Sequence, residues 1–309
     1  MQIYVSGSLA YDRIMDFPGR FADHILPEKI HVLNVCFMVN GLKEKYGGTA
    51  GNIAYSLSLL DEKPVILATC GNDFSRYREY LEKLDLPLHG IKTIPEVFTA
   101  GAYITTDMAD NQITGFNPGA MNFTSDYAFD GLDPKNALAI VSPGSLDDMR
   151  IYCRQYKEMG VPYIIDPGQS IPALSGEDMT EMITGSEILI TNDYELEMIT
   201  QATGLTRAGL LKRTKTIITT LGEMGSRVVT QDEEITIHAA KPDKVSDPTG
   251  AGDAYRSGLL KGLATGKNLL DAAKMGSTSA SFAVEHYGTQ EHHFTMADFE
   301  ARYQANYGS

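Results

Sequence analysis

Seven residues, Asp247-Pro248-Thr249-Gly250-Ala251-Gly252-Asp253, carry the clearest chemistry in the chain. A small, apolar run follows, Ala254-Tyr255-Arg256-Ser257-Gly258-Leu259-Leu260, so the stretch reads as a loop entering a helix. Gly250 and Gly252 leave the backbone open to a ligand. The N–H groups of residues 250–253 are donors that a helix's first turn cannot pair internally, and the helix dipole adds positive character there. Gly250, Ala251 and Gly252 therefore form a candidate anion hole of the kind that holds phosphate. Asp253 sets a carboxylate at its edge. A bound phosphate repels that carboxylate, so its presence calls for a reason. A general base fits: it takes the proton from a hydroxyl as that hydroxyl attacks a phosphoryl group in the hole. The ordinary alternative is a glycine-rich helix start with an acid in its first turn, which is common. Two other phosphate motifs are excluded. The dinucleotide fingerprint needs glycine where Tyr255 stands, and the Walker loop needs a Gly-Lys-Ser/Thr tripeptide that the chain lacks.

Weaker signals surround this motif. Asn192 and Glu195 stand three apart at a strand-to-helix turn. An amide can donate to phosphate oxygens, and a carboxylate can hold a hydrated Mg²⁺ beside it. The same spacing is a helix capping box, the commoner use of such a pair. Gly222 and Gly225 would let a loop pass close to a nucleotide, or simply turn the chain before a strand at 227–230. Gly47-Gly48-Thr49-Ala50-Gly51-Asn52 opens a helix, and Asn52 offers donors and an acceptor to sugar hydroxyls. Asp12 could accept bonds from a diol, or be an ordinary surface aspartate.

These groups need a frame. Strand patterns fall at 2–6, 64–69, 138–142, 162–166, 187–191 and 216–220. Helical patterns fall at 51–60, 74–84, 146–159, 194–201, 254–264, 270–284 and from 295 to about 303. This alternation predicts an α/β fold, a parallel sheet covered by helices on both faces. Ligands bind such sheets at the carboxyl ends of the strands. Gly7-Ser8, Asp166-Pro167-Gly168-Gln169, Asn192-Asp193-Tyr194-Glu195 and Leu221-Gly222-Glu223-Met224-Gly225 all fall there. Their convergence is a stronger argument than any one of them. Two stretches, about 12–46 and 97–117, break the pattern with an extended run at 32–39 and a turn near Asp110-Asn111. They read as antiparallel strands that pair into a small sheet, a lid inserted into one domain spanning 1–309.

Composition narrows the partners. The chain has 309 residues, 43% of them hydrophobic, enough for one large α/β domain. Its formal net charge of -14 comes with no basic patch, so nucleic acid and anionic membrane are poor partners. No apolar run approaches a membrane span, and Met1 leads straight into a strand with no signal peptide. Cys36, Cys70 and Cys153 are few, odd in number and without a CxxC. They predict a reduced, cytoplasmic chain with each cysteine a small buried hydrophobe. Glu285-His286 and Glu291-His292-His293 lack a metal-binding spacing and read as a solvated loop.

Taken together, the motifs resemble the PfkB (ribokinase-like) carbohydrate kinases. Two signatures of that family stand in order: Gly47-Gly48-Thr49-Ala50-Gly51-Asn52-Ile53-Ala54, followed by Gly71, and Asp247 through Gly258. Asn192-Asp193-Tyr194-Glu195 and Thr220-Leu221-Gly222 sit between them, as in the family. The resemblance covers essentially the whole chain, and the second signature is highly specific. Asp61 departs from the glycine or serine usual at its position. Segments outside the signatures resemble the bacterial adenosine kinases of mycobacterial type: Val5-Ser6-Gly7-Ser8, Phe17-Pro18-Gly19-Arg20-Phe21, Pro118-Gly119-Ala120-Met121, Leu174-Ser175-Gly176-Glu177 and Gly288-Thr289-Gln290-Glu291.

The resemblance implies a ribokinase-like three-layer α/β/α sheet domain with a small β-sheet lid. It implies transfer of phosphoryl from ATP to the 5′-hydroxyl of adenosine, giving AMP and ADP, with Asp253 as base and Gly250, Ala251 and Gly252 as anion hole. Asn192, Glu195, Thr220, Gly222 and Gly225 would bind ATP. Glu195, Asn192 and Asp166 would hold Mg²⁺ through water, and a monovalent cation such as K⁺ is left open. Ser8, Asp12, Gly48, Asn52, Phe116, Met121 and Gln169 would hold the substrate. A homodimer through the lid is implied as well. Ala102 replaces an aromatic that stacks on the base in such enzymes, which leaves Phe116 as the aromatic wall. The alternatives are a PfkB kinase for another nucleoside or for a free sugar such as ribose or fructose, and a non-catalytic nucleotide-binding regulatory protein.

Overall fold

The computed structural model describes residues 1–308. Short runs of β-branched and aliphatic residues between polar turns set the strands. The chain opens with β1 (Gln2–Ser6), β2 (Ala10–Asp16), β3 (Asn40–Gly47), α1 (Thr49–Leu59), β4 (Val65–Cys70), α2 (Ser75–Lys83) and β5 (Ile91–Thr93). It continues through β6 (Ala100–Thr106), β7 (Gln112–Asn117), β8 (Ala137–Val141), α3 (Leu146–Met159), β9 (Tyr163–Ile165) and α4 (Gly176–Ile183). Then come β10 (Ile188–Asn192), α5 (Asp193–Thr203), α6 (Arg207–Leu211), β11 (Thr216–Thr220), β12 (Ser226–Val229) and β13 (Glu234–Ile237). Three helices close it: α7 (Ala251–Ala264), α8 (Leu269–Ala283) and α9 (Met296–Tyr307).

Nine strands form one sheet in the order β13-β12-β11-β10-β9-β8-β1-β4-β5. From β5 to β11 every pairing is parallel, and β12 and β13 return antiparallel at one edge. Parallel strands buried on both faces read as continuous apolar runs, and β4 and β8 are buried along their whole length. Successive side chains point to opposite faces. Ile164, Ile188, Ile190 and Ile218 accordingly pack with residues of α1, α2, α7 and α8. Ile165, Leu189 and Ile217 pack with residues of α3, α4, α5 and α6 on the other side. The result is the expected three-layer α/β/α arrangement.

The sequence places α3 at its observed limits. Ser145 caps its start by accepting from the Asp148 N–H, and Gly160 ends it in the left-handed conformation. The small sheet also forms, with order β3-β2-β6-β7. Two expectations need correction there. Strand β2 pairs with β6 in parallel, so the sheet is mixed. The extended run expected at 32–39 is no strand: a 3₁₀ segment spans Pro27–Val32, and the pairing strand begins at Asn40. Its place was masked by charge, since Lys43, Glu44 and Lys45 interrupt any apolar pattern. Strands β5 and β13 and helices α4 and α6 are unanticipated, being short and partly polar.

Two single-residue expectations change, and a third position is explained. Cys36 is exposed, while Cys70 and Cys153 are buried. His292 is fully buried under α1, not solvated, and its ring faces the Ser56 hydroxyl. Desolvation first, then His286 and His293, pull its pKa down to about 4, so it stays neutral. Asp61 has a φ of +57°, the left-handed region that explains glycine at this turn in related signatures. Among the described residues, no helix is long and apolar enough to cross a membrane.

Tyr156 offers a test of the core. Its ring is fully buried, yet its hydroxyl has no hydrogen-bond partner among the described residues. An unpaired buried polar group costs about 1–3 kcal/mol. Tyr156→Phe keeps the ring and removes the cost, so urea unfolding should show a gain of about 1 kcal/mol. A loss of stability would mean that the hydroxyl is satisfied.

Candidate active site

The first turn of α7 lies beside the ends of β9, β10 and β11. Gly250 caps it at φ +81°, a conformation open to glycine and costly for other residues. Asp247 braces the loop before it: one oxygen accepts from Thr249 N–H at 2.9 Å, the other from Gly288 N–H at 3.1 Å. The Ala251 N–H donates to Pro248 O at 3.1 Å, so the turn itself uses one of the expected anion-hole donors. Among the described residues the N–H groups of Gly250, Gly252 and Asp253 make no hydrogen bond. These three are open to an anion.

Asp253 reaches into a cavity of about 200 Å³ lined also by Thr49, Asn192, Glu195, Thr220, Gly250 and Gly252. Desolvation pushes its carboxyl up to about 6 against the pull of the Arg256 guanidinium and the Asn52 hydrogen bond, while Asp166 and Glu195 add to the rise. A base poised near neutrality suits proton transfer from a hydroxyl. Its acceptor geometry is set by Asn52, whose amide nitrogen donates to Oδ2 at 2.8 Å. The Asn52 carbonyl accepts from Gln290 Nε2 at 2.9 Å. Asn52 thereby bridges Asp253 and Gln290, and its second N–H and second acceptor lone pair stay open to a sugar hydroxyl.

Arg256, one turn along α7, is the main residue the sequence reading missed. Its Nη2 donates to Asp166 Oδ1 at 2.6 Å and its Nε to Oδ2, while Nη1 donates to Gly252 O at 3.0 Å. Both partners of the ion pair are buried. Desolvation pulls the guanidinium down, but the Asp166 carboxylate outweighs it and holds Arg256 charged. Each Asp166 oxygen accepts from Arg256, and Asp166 also lines the cavity. The signal was a single arginine in the otherwise small, apolar run after Asp253.

Asn192 and Glu195 do form the capping box: Asn192 Oδ1 accepts from Glu195 N–H at 2.7 Å, and Glu195 Oε2 from Asn192 N–H at 2.8 Å. Each still has a second polar atom, Nδ2 and Oε1, with no side-chain partner among the described residues, and both residues line the cavity. Desolvation raises the Glu195 carboxyl, opposed by the Asn192 N–H. The free Glu195 oxygen is a hard donor that fits Mg²⁺, and the Asn192 Nδ2–H₂ group can donate to a phosphate oxygen. Gly222 and Gly225 line neither cavity of the site. At Gly225 a side chain would meet Ile237 O at 2.0 Å, so the turn into β12 requires glycine for packing.

A larger cavity, about 580 Å³, adjoins the first through shared residues Pro143 and Gln169. Ser8, Asp12, Gly48, Phe116 and Met121 line it, which brings six of the seven expected substrate residues together, Asn52 being the exception. Ser8 also caps α1 by accepting from Thr49 N–H at 3.0 Å. The Asp12 carboxylate has no hydrogen-bond partner among the described residues; desolvation raises it and Lys45 opposes the rise. Across the small sheet, Lys45, Asp12, Ala102 and Phe116 stand in one register row. The start of α3, from Gly144 to Asp147, and Asn122 complete the wall. These were missed, although Pro143-Gly144-Ser145 follows a strand as the other motifs do.

A large sheet with a small one beside it, an unpaired helix N-terminus and a carboxylate at its edge form an arrangement suited to phosphoryl transfer. The model of the pfkB family of carbohydrate kinases matches residues 20–295. The chain belongs to that family and has its ribokinase-like α/β fold. Among solved structures, a nucleoside kinase of Burkholderia thailandensis in complex with inosine is 35% identical, with a TM-score of 0.86 over 99% of this chain and 98% of that one. A nucleoside kinase of Methanocaldococcus jannaschii is 32% identical over 85% of this chain and 87% of its own. A cytidine kinase of Thermococcus kodakarensis is 25% identical over 78% and 88%. Two of these relatives are named for nucleosides broadly and one for cytidine, none for adenosine.

The raised Asp253 carboxyl predicts a pH profile. A general base works only when ionised, and burial pushes the Asp253 carboxyl up to about 6. With Mg²⁺ and ATP saturating, kcat/KM for the acceptor should fall on the acid side with a midpoint near 6, well above an ordinary carboxylate. Asp253→Asn should lower kcat by about 10²–10⁴ and erase that limb. A variant that keeps both rate and limb would remove Asp253 from the chemistry.

Proposed function

We propose that this chain is an ATP-dependent nucleoside kinase that phosphorylates the 5′-hydroxyl of purine nucleosides, adenosine among them. One observation carries the reading: the two cavities meet at Pro143 and Gln169, with Asp253 and the anion hole in the smaller. A hydroxyl crossing from the larger cavity meets the base and the site of the transferring phosphoryl together. The unpaired N–H groups of Gly250, Gly252 and Asp253 stabilise charge on that group as it moves. Thr220 borders the nucleotide, and the paired Arg256 keeps Gly252 in place. Glu195 and Asn192 would hold hydrated Mg²⁺ beside the phosphates, where the ion neutralises their charge.

The larger cavity supports a nucleoside over a free sugar. Unpaired Asp12 suits ribose hydroxyls, while Phe116 and Met121 offer a wall for a base. Asn122 and Gln169 have no side-chain hydrogen bonds among the described residues, and an amide both donates and accepts. Such groups read 6-amino and 6-oxo purines alike. Ala102, between Asp12 and Phe116 in the register row, leaves width where an aromatic would narrow the slot. For these reasons adenosine is proposed as one acceptor and not the sole one, and the similar Burkholderia protein is one whose structure holds inosine.

A panel of nucleosides and sugars with ATP and Mg²⁺, read by ADP release, tests this. Stacking adds about 0.5–1.5 kcal/mol and burial of the purine roughly 2 kcal/mol. Adenosine and inosine should therefore exceed ribose and fructose by about 10²-fold in kcat/KM. Equal rates for a free sugar would make the chain a sugar kinase. No turnover with any acceptor, despite nucleotide binding, would favour a regulatory protein.

The same small sheet supports a homodimer. Strand β7 is exposed along its length and leaves one edge unpaired. Tyr103, Ile113 and Phe116 expose apolar surface on adjacent strands. Sedimentation at micromolar concentration should give a particle about twice 33.8 kDa. A monomer throughout would overturn the dimer and leave the kinase reading intact.

A further inference from the structure

Gln290 lies in the segment between α8 and α9, far in sequence from every catalytic motif. It is 7% exposed and sits at the centre of a hydrogen-bond chain. Nε2 donates to Asn52 Oδ1 at 2.9 Å and to Tyr77 Oη at 2.8 Å. Tyr77 Oη donates in turn to Gly47 O at 2.9 Å. On the other side Asn52 Nδ2 donates to Asp253 Oδ2 at 2.8 Å. The direction of every bond is forced. An ionised carboxylate only accepts, so Asn52 must present its nitrogen to Asp253 and its oxygen to Gln290. Gln290 must then offer its nitrogen to Asn52, and Tyr77 accepts from Gln290 and spends its own proton on Gly47.

The backbone leaves room for this chain. A side chain on Gly51, in the first turn of α1, would stand 2.0 Å from Tyr77 Oη and 3.1 Å from Gln290 Nε2. The segment carrying Gln290 is also tied to both ends of the chain. Thr289 Oγ1 donates to Tyr46 O at 3.0 Å, and Lys45 Nζ donates to Tyr287 O at 2.9 Å, which fastens it to β3. Gly288 N–H donates to Asp247, which fastens it to the loop of the anion hole.

We propose that Gln290 is a positioning residue for phosphoryl transfer. Acting through Asn52, it holds Asp253 Oδ2 as an acceptor, leaves Oδ1 to take the proton of the substrate hydroxyl, and links the base to the end of β3 in the small sheet. The proposal rests on the reading of Asp253 as the base. It gives a task to Gly288-Thr289-Gln290-Glu291, which phosphate and sugar binding leave without one.

The experiment compares the full-length protein with Gln290→Met, which keeps length and removes the donor, and Tyr77→Phe, which cuts the link to Gly47. Steady-state rates are measured across pH with saturating Mg²⁺ and ATP. The charged groups facing Asp253 are Arg256 on its own helix, Asp166 after β9 and Glu195 on α5, and neither variant alters them. Gln290→Met should lower kcat by about 10- to 100-fold, with KM for nucleoside and ATP within about threefold. Its acid limb should move to higher pH, because the ionised carboxylate loses a held donor. Tyr77→Phe should change the same quantities in the same direction by about threefold to tenfold in kcat. A purely structural Gln290 would lower the melting temperature and leave the limb in place, and that result overturns the proposal. If Gln290→Met does not fold, Tyr77→Phe decides, and wild-type kcat and limb there overturn it. Wild-type protein that transfers no phosphoryl to any nucleoside overturns the kinase reading and the proposal together. Active wild type with unshifted variants overturns the proposal alone.

Discussion

The buried pair of Asp166 and Arg256 determines where α7 begins, and the rest of the site follows from that position. The guanidinium is held bidentate by the residue that follows β9 and reaches back to the Gly252 carbonyl of its own helix. The sheet thereby grips the first turn of α7 by its backbone. The unpaired N–H groups then have a fixed place at the strand ends, and Asp253 has a fixed place beside them. A buried ion pair is weak evidence for net stability, because desolvation offsets much of the attraction. Here its value lies in location.

Two opposed electrostatic demands meet within one turn of helix. The hole must attract a polyanion in a chain of net charge -14. The base must carry a negative charge at its rim. Three backbone dipoles serve the first demand. The Arg256 guanidinium and the Asn52 hydrogen bond serve the second by favouring the ionised form, while desolvation, Asp166 and Glu195 oppose them and leave Asp253 near the point of protonation. No basic surface is needed, since every contribution acts within the small cavity.

The frame was legible where the rules are local. Helix α3 was readable because Ser145 and Gly160 mark its ends, and the loop before α7 because its glycines and acid stand together. The inner strands of the large sheet were readable because burial on both faces makes them apolar, while its partly exposed edge strands β5 and β13 were not. The small sheet was harder, since β3 and β7 are mostly exposed and carry no such pattern. What could not be read were partnerships between distant residues. Arg256 meets Asp166 across 90 positions and Gln290 meets Asn52 across 238. Each side chain taken alone was compatible with several partners. Asn52 was therefore assigned to sugar and Asp166 to a metal, both sensible for their types, and tertiary structure gave each a further partner that the sequence did not show.

The separate walls of the two cavities have a consequence for how such a protein changes over time. Phe116 belongs to β7, and Met121 to the 3₁₀ turn Gly119–Asn122. None of the hydrogen bonds that hold Asp253 or Arg256 comes from either segment. A substitution at one face of the acceptor chamber can therefore alter which molecule is admitted while leaving the reacting apparatus undisturbed. Divergence can proceed by single steps, each giving a working catalyst. The alanine at position 102, next to Phe116 in the register row, is a residue of the sort such drift would leave behind.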